Sequence, residues 1–215
     1  MNGIFWEGDF GASFIPIILQ EVYIHGVYAP FLQGKRDLTI IDAGANVGIF
    51  SMYASPIAKR IIAVEPAKRH IKCIQHMTEV NGLENIEIYP FALSDQNNTA
   101  VFHDFPGNAT MGTLTPAQGW NEGELVCTVT MKALFEDCEL DAVDFMKLDI
   151  EGGEAALLRS PEFAEVAPKI ACIVGEHHQW SDMGRYELVR RLTSLGYHVD
   201  WIGGVQATMF SAIRG

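Results

Sequence analysis

Four groups of residues in this 215-residue chain have the types and spacing to do chemistry. The first is Asp42-Ala43-Gly44-Ala45-Asn46-Val47-Gly48, which follows the apolar pair Ile40-Ile41. The second is Glu65-Pro66, at the end of Ile61-Ile62-Ala63-Val64. The third is Asp149-Ile150-Glu151-Gly152, which follows Met146-Lys147-Leu148. The fourth is Glu176-His177-His178, just past Ile170 to Val174. Each group begins where an apolar run gives out. Short apolar runs that alternate with amphipathic stretches predict parallel strands joined by helices. In such a sheet the residues beyond the strand ends collect along one edge, where ligands bind.

A glycine-rich turn between strand and helix, with a carboxylate at the tip of the next strand, is a grip for a nucleoside. Glycine lets the backbone approach the ligand, and Glu65 is expected to accept hydrogen bonds from both ribose hydroxyls. Two departures narrow the nucleoside. A dinucleotide rests its pyrophosphate on the helix N-terminus, but Asp42 would repel that group, and Ile49 replaces the third glycine of the dinucleotide fingerprint. Asp42 suits a ligand with an ammonium and a sulfonium, which is S-adenosylmethionine. The cofactor-binding residues expected on this reading are Asp42, Gly44, Asn46, Gly48, Glu65, Pro66, Ala92, Leu93, Ser94 and Asp149. Phe91 would flank the base, and Ser94 or Asp95 would bond it. A nicotinamide-dependent oxidoreductase and a non-catalytic module on the same scaffold are the alternatives.

The catalytic candidates are Asp149, His177 and His178. A histidine beyond the fifth strand can take a proton from a hydroxyl as a methyl group moves, and adjacent histidines point in different directions, so at most one of the two is expected to face the site. Asp149 can bind the methionine ammonium, orient the acceptor or help to hold a cation. His103, Asn108, Thr110 and Thr113 lie in a long connection, of the kind that often covers a site, and are candidates for acceptor contact.

The elements that must position these groups run in order. Residues 1–37 form an N-terminal segment, helical between Ile15 and Leu32, that covers the sheet and the active site. Residues 38–215 form the cofactor-binding domain. Strands are predicted at Thr39 to Asp42, Arg60 to Val64, Ile86 to Tyr89, Asp144 to Asp149 and Ile170 to Val174. Shorter strands are expected at Ala100 to Phe102 and Leu125 to Val129, around a loop from His103 to Gly123. Helices are predicted from Gly48 to Ala58, from Pro66 to about Val80 with a stop at Asn81-Gly82, from Glu151 to Arg159, and from Tyr186 to Leu195. His198 to Ile202 and Ala207 to Ile213 suggest a closing antiparallel pair, for about seven strands in all.

Composition bounds the function. The net charge is −12 with only 15 basic residues and no dense basic cluster. Nucleic acid and anionic membranes are therefore not expected partners. No apolar run approaches the roughly 20 residues needed to span a bilayer, and Met1 to Phe10 lacks the pattern of a signal peptide, so the expected location is cytoplasmic. Cys73, Cys127, Cys138 and Cys172 have no metal-ligand or disulfide spacing.

The residues assembled so far resemble the FkbM-type family of S-adenosylmethionine-dependent methyltransferases. The matching segments are Glu21 to Tyr28, Ile41-Asp42-Ala43-Gly44-Ala45-Asn46-Val47-Gly48, Ala63-Val64-Glu65-Pro66, and Met146-Lys147-Leu148-Asp149-Ile150-Glu151-Gly152-Gly153-Glu154. The resemblance implies a class I, Rossmann-like α/β fold: a seven-stranded, mainly parallel sheet with helices on both faces and a C-terminal antiparallel strand pair. It also implies O-methylation of a hydroxyl on a small molecule or sugar, with cofactor contacts from Asp42, Gly44, Asn46, Glu65 and the loop at Ser94. Some related O-methyltransferases use a divalent cation held by carboxylates. Asp149 and Glu151 can contribute to such a site, but two acids do not define one, and no metal ligands are assigned. One departure stands out: where the family often has Thr-Leu-Asp, this chain reads Thr130-Met131-Lys132, which points to an unusual acceptor side.

Overall fold

The computed structural model describes residues 15–105, 108–114, 123–203 and 208–215. Its centre is a seven-stranded sheet. Five strands are parallel: β1 (Leu38–Ala43), β2 (Ala58–Val64), β3 (Ile86–Tyr89), β8 (Phe145–Leu148) and β9 (Cys172–Glu176). The last two, β10 (Tyr197–Trp201) and β11 (Met209–Arg214), are antiparallel to each other, and β11 runs antiparallel to β9. The order is β10-β11-β9-β8-β1-β2-β3. The switch of direction lies between β1 and β8, where ligands bind in open sheets of this kind.

The central strands form because they are apolar on both faces. Ile40, Ile41, Ile61, Ile62, Phe145, Met146, Ile173 and Val174 are all fully buried. Such burial stabilises by about 1.5–3 kcal/mol per large aliphatic side chain, and continuous apolar runs suit strands covered on both sides. The helix Lys68–Asn81 stops at Gly82, whose φ of 60° is left-handed, as the Asn-Gly pair predicts. Thr130, at the point of departure from the family pattern, caps the helix Met131–Asp137: its hydroxyl accepts from the Ala133 amide at 3.2 Å. Met131 is fully buried in the core.

A second sheet departs from expectation. β4 (Ala92–Leu93), β5 (Asn98–Phe105), β6 (Asn108–Thr113) and β7 (Glu124–Val129) pair in the order β4-β7-β5-β6. The sequence reading leaves β6 as loop and β4 unassigned. β4 depends on a partner distant in the chain, Ala92 on Thr128, and has only two residues to signal it; β6 pairs with the strand just before it, His103 on Thr113, but its Asn, Thr and Gly residues read as loop. Two helix starts also move. The segment after Asp149 first makes a tight turn, and its helix begins only at Glu154; the helix after β1 spans Ile49–Ala54 and ends in a 3-10 turn. The described part of the N-terminal segment holds helices Ile15–Leu19 and Ala29–Leu32 with a π turn, Gln20–Ile24, between them. Residues 1–14 of the expected 1–37 unit lie outside the described residues.

Candidate functional site

The loop after β1 is shaped by close approach. Gly44 has φ +78°, and a Cβ there would stand 1.8 Å from the Asp149 carbonyl oxygen. Only glycine lets these two loops touch. Asn46 takes a left-handed φ of 53°, which Asn tolerates better than most residues, and its amide donates to Glu65 Oε2 at 2.8 Å. Glu65 is buried at the tip of β2. Its Oε1 accepts from the Ala67 amide at 2.9 Å and lies 3.1 Å from His70 Nδ1. Glu65 is thus held from three sides before any ligand arrives.

These residues open onto a cavity of about 580 Å³ lined by Gly44, Asn46, Glu65, Pro66 and Asp149 on its polar side, with Phe91, Ala92, Leu93 and Ile150 on its apolar side. Phe102 and Leu114, carried by the second sheet and its edge, complete the lining. The Thr113 hydroxyl ties this sheet to the site by donating to the Glu151 carbonyl. A mostly apolar chamber with a few convergent polar groups has the form of a small-molecule site.

A second cavity, of about 1020 Å³, lies on the other side of Asn46, Asp149 and Glu151, which line both. Its wall includes Ile18, Glu21, Val22 and Tyr28 of the N-terminal segment, with Lys147, Glu176, His178 and Trp180. Here the acids crowd. Glu151, at φ +52° in the turn after β8, is pushed up to about 8, first by burial and then by Asp149. Glu21 and Glu176 are raised by burial and by neighbouring carboxylates. Burial also works against ionisation of Asp149, but Lys147 and His178 outweigh it and hold its pKa below the ordinary range.

Lys147 is the residue the sequence reading passes over. It lies in an otherwise apolar strand, opposite Asp42 in the β1–β8 register. Its Nζ donates to the Gly44 carbonyl at 2.9 Å and stands 3.2 Å from Asp149 and 3.5 Å from Asp42. Burial opposes its charge, yet Asp149 and Asp42 together raise its pKa. A lone lysine inside an apolar strand signals a buried partner, and that signal was available. His70, in the first turns of the helix after Glu65, carried no comparable one.

Other expected site residues fall elsewhere. Asp42 is fully buried, accepts from the Ser51 hydroxyl at 2.6 Å, and lines neither cavity. It lies beneath the site, 3.5 Å from Lys147 Nζ. Gly48 also lines neither cavity; its φ of +87° turns the chain into the helix against Ile74. Ser94 bonds Asp95, and its amide donates to the Val129 carbonyl, while neighbours Ala92 and Leu93 line the first cavity. The two histidines separate. His177 Nε2 is 2.7 Å from the Met183 carbonyl and its ring packs edge-on against Trp201, outside both cavities. His178 faces the second cavity. Among the acceptor candidates, the side chains of Asn108 and Thr110 lie outside the described residues, and neither His103 nor Thr113 lines a cavity.

Comparison with known proteins agrees with this geometry. Among solved structures, the chain aligns with the METTL16 MTase domain at TM-score 0.57 and 12% identity, over 98% of this chain and 72% of that one. It aligns with the Streptococcus mutans protein SMU.1697c in complex with SAH at TM-score 0.51 and 10% identity, over 92% and 95%. A precorrin-6y C5,15-methyltransferase from Geobacter metallireducens gives TM-score 0.50 and 14% identity, over 89% and 88%. These likenesses show the class I methyltransferase fold. Curated relatives include Methyltransferase 1 of Beauveria bassiana, 24% identical over 168 residues, and Methyltransferase sdnD of Sordaria araneosa, 28% identical over 153 residues. They cover 67% and 56% of this chain, which spans 66% and 59% of their lengths. The AMB antimetabolite synthetase AmbE of Pseudomonas aeruginosa is 29% identical over 99 residues, 43% of this chain and 4% of that protein. The methyltransferase FkbM domain profile matches residues 42–199, from the acid at the end of β1 into β10. With that match covering most of the chain and the cradle built as such a domain requires, the protein belongs to the FkbM methyltransferase family.

Proposed function

We propose that the chain transfers a methyl group from S-adenosylmethionine to a hydroxyl on a small molecule or sugar. The observation that carries this reading is the wall common to the two cavities, formed by Asn46, Asp149 and Glu151. A donor in the first cavity would meet an acceptor in the second across that wall.

The chain's residues fit the donor. Of the roughly four lone pairs of the Glu65 carboxylate, Ala67 and His70 engage those of Oε1 and Asn46 one of Oε2, which leaves one on Oε2 for a ribose hydroxyl. Phe91, Ala92, Leu93 and Ile150 offer apolar walls to the base, and the ionised Asp149 is the acid positioned for the ammonium. Gly44 leaves free the space that a side chain would fill against Asp149. When bound, S-adenosylmethionine supplies an electrophilic methyl on a sulfonium. The protein supplies alignment of the two reactants, and the hydroxyl proton passes to water in the acceptor chamber.

The acceptor side supports a compact, non-anionic substrate. Asp149, which Lys147 and His178 hold ionised, would repel phosphate. In this reading the N-terminal segment is the cover of the acceptor chamber, contributing Ile18, Glu21, Val22 and Tyr28. We assign the work to the cytoplasm: the four cysteines are free, and among the described residues no helix is long and apolar enough to cross a membrane.

The test is methyl transfer from isotope-labelled S-adenosylmethionine to panels of sugar, phenol and polyketide hydroxyls, read by mass and by the NMR shift of the new methyl. An O-methyl product is the expected result. Tight S-adenosylhomocysteine binding with no transfer to any panel would mark a binding module. A larger thermal shift with NAD than with S-adenosylhomocysteine would overturn the donor assignment.

A further inference from the structure

Asp149, Glu151 and His178 place one ligand atom each within 4.8 Å of one another. They come from the ends of two neighbouring strands, and a fourth residue fixes them. Glu154 is 1% exposed, and its Oε1 accepts from the amides of Ile150 at 3.3 Å and Gly152 at 3.2 Å. The same oxygen is 2.9 Å from His178 Nδ1. An oxygen held by two amides is an acceptor, so Nδ1 carries the hydrogen. His178, itself 6% exposed, is left with Nε2 aimed at Glu151 Oε2, 3.2 Å away, and Asp149 Oδ1, 3.7 Å away. A carboxylate on one ring nitrogen that turns the other toward a shared point is how metal-binding histidines are oriented.

Two further observations point to an ion at that shared point. Glu151 Oε2 is buried and makes no hydrogen bond, although Nε2 is close by. The separations of 3.2 and 3.7 Å are those of ion pairs to a protonated His178 when no ion is bound, looser than the roughly 2.7–2.9 Å of a tight charge-assisted hydrogen bond. They match the spacing of neighbouring ligands around one ion, roughly 3.0–3.7 Å for bonds of about 2.0–2.2 Å. The nearest lysine, Lys147, is already engaged by Asp42, Asp149 and the Gly44 carbonyl.

We propose that Asp149, Glu151 and His178 bind one divalent cation on the wall between the two cavities, with Glu154 as the positioning residue. One imidazole and two carboxylates without a thiolate suit Mn²⁺ or Zn²⁺ better than Ca²⁺. The inference deepens the methyl-transfer reading and rests on it for its purpose: a Lewis acid at this place polarises an acceptor oxygen.

The experiment uses the full chain, stripped with EDTA and dialysed, then titrated with Mn²⁺ alone. Uptake is followed by loss of the free-ion paramagnetic resonance signal and by calorimetry. One ion per chain is expected, with affinity lowered at least tenfold in Glu151→Gln and His178→Gln and roughly tenfold in Glu154→Gln. Circular dichroism checks the fold of each variant; if His178→Gln does not fold, Glu151→Gln decides. Uptake below one ion, or an affinity that survives Glu151→Gln, overturns the proposal. So does a His178 Nε2 nitrogen resonance that remains protonated at saturating Zn²⁺, because a proton would then occupy the ion's place. A parallel titration of the stripped chain with S-adenosylhomocysteine separates the two readings. Binding of that ligand without Mn²⁺ uptake removes the cation alone, whereas no binding strikes the methyl-transfer reading.

Discussion

The two sides of the shared wall are built on opposite principles. On the side of β1 and β2, the cradle is satisfied within the protein: Glu65 accepts from Asn46, Ala67 and His70, and Gly44 and Ala45 donate to the Val64 carbonyl, with Asp42 Oδ1, beneath it, the buried oxygen that makes no hydrogen bond. On the side of β8 and β9, acids outnumber cations. Glu151 and Glu154 each have a buried oxygen without a hydrogen bond, and Glu21, Glu151 and Glu176 are all shifted toward the protonated form. The first side is pre-organised and pays no reordering when a ligand arrives. The second stores electrostatic repulsion that a positive charge would relieve. A methyl transferase benefits from both: a rigid seat for the donor, and a polar chamber that responds to what enters it.

Lys147 joins the two sides, so removing its charge should break the contrast most severely. Lys147→Met leaves Asp42 and Asp149 without their counter-charge beneath the site. A loss of about 3–5 kcal/mol of stability is expected, measured by urea unfolding, and a loss under 1 kcal/mol would show that the acids find another partner. Glu65→Ala sharpens the comparison on the donor side. It removes the ribose acceptor and strands the Asn46 amide, and S-adenosylhomocysteine affinity should fall roughly 30–100-fold, or about 2–3 kcal/mol. An unchanged affinity by calorimetry would refute the ribose assignment. The smallest effect is expected at His177. His177→Asn should lower stability by about 1 kcal/mol through the lost bond to the Met183 carbonyl, and leave methyl transfer within about twofold because His177 lines neither cavity. A collapse of turnover with normal unfolding would place His177 in the chemistry after all.

The donor side was the more legible in the sequence. Glycine at 44, asparagine at 46 and an acid at 65 are local requirements: a left-handed turn, a close backbone approach and a strand-end acceptor each leave a mark at one position. The acceptor side was less so. His177 and His178 are adjacent and chemically identical in the sequence; only the docking of Met183 and Glu154, from different parts of the chain, turns one into the core and the other toward the cavity. Asp42 was read as a strand-end acid for a ligand, and that reading did not include Lys147, which lies 3.5 Å away on a strand far along the chain. The second sheet escaped only partly for a related reason: β4 exists through pairing with the distant β7, whereas β6 pairs with its neighbour β5 and reads as loop from its Asn, Thr and Gly residues.

The amino-acid sequence by itself determined the wound sheet, its strand-end acids and the glycine turn, because apolar runs and left-handed positions are short-range properties of the backbone and its side chains. The tertiary structure alone decided which acids meet which cations, which histidine faces the second cavity and how the second sheet, through Phe102 and Gly112, lines the first. Electrostatic pairing and burial depend on distances through space, and the separation of residues along the chain does not specify them.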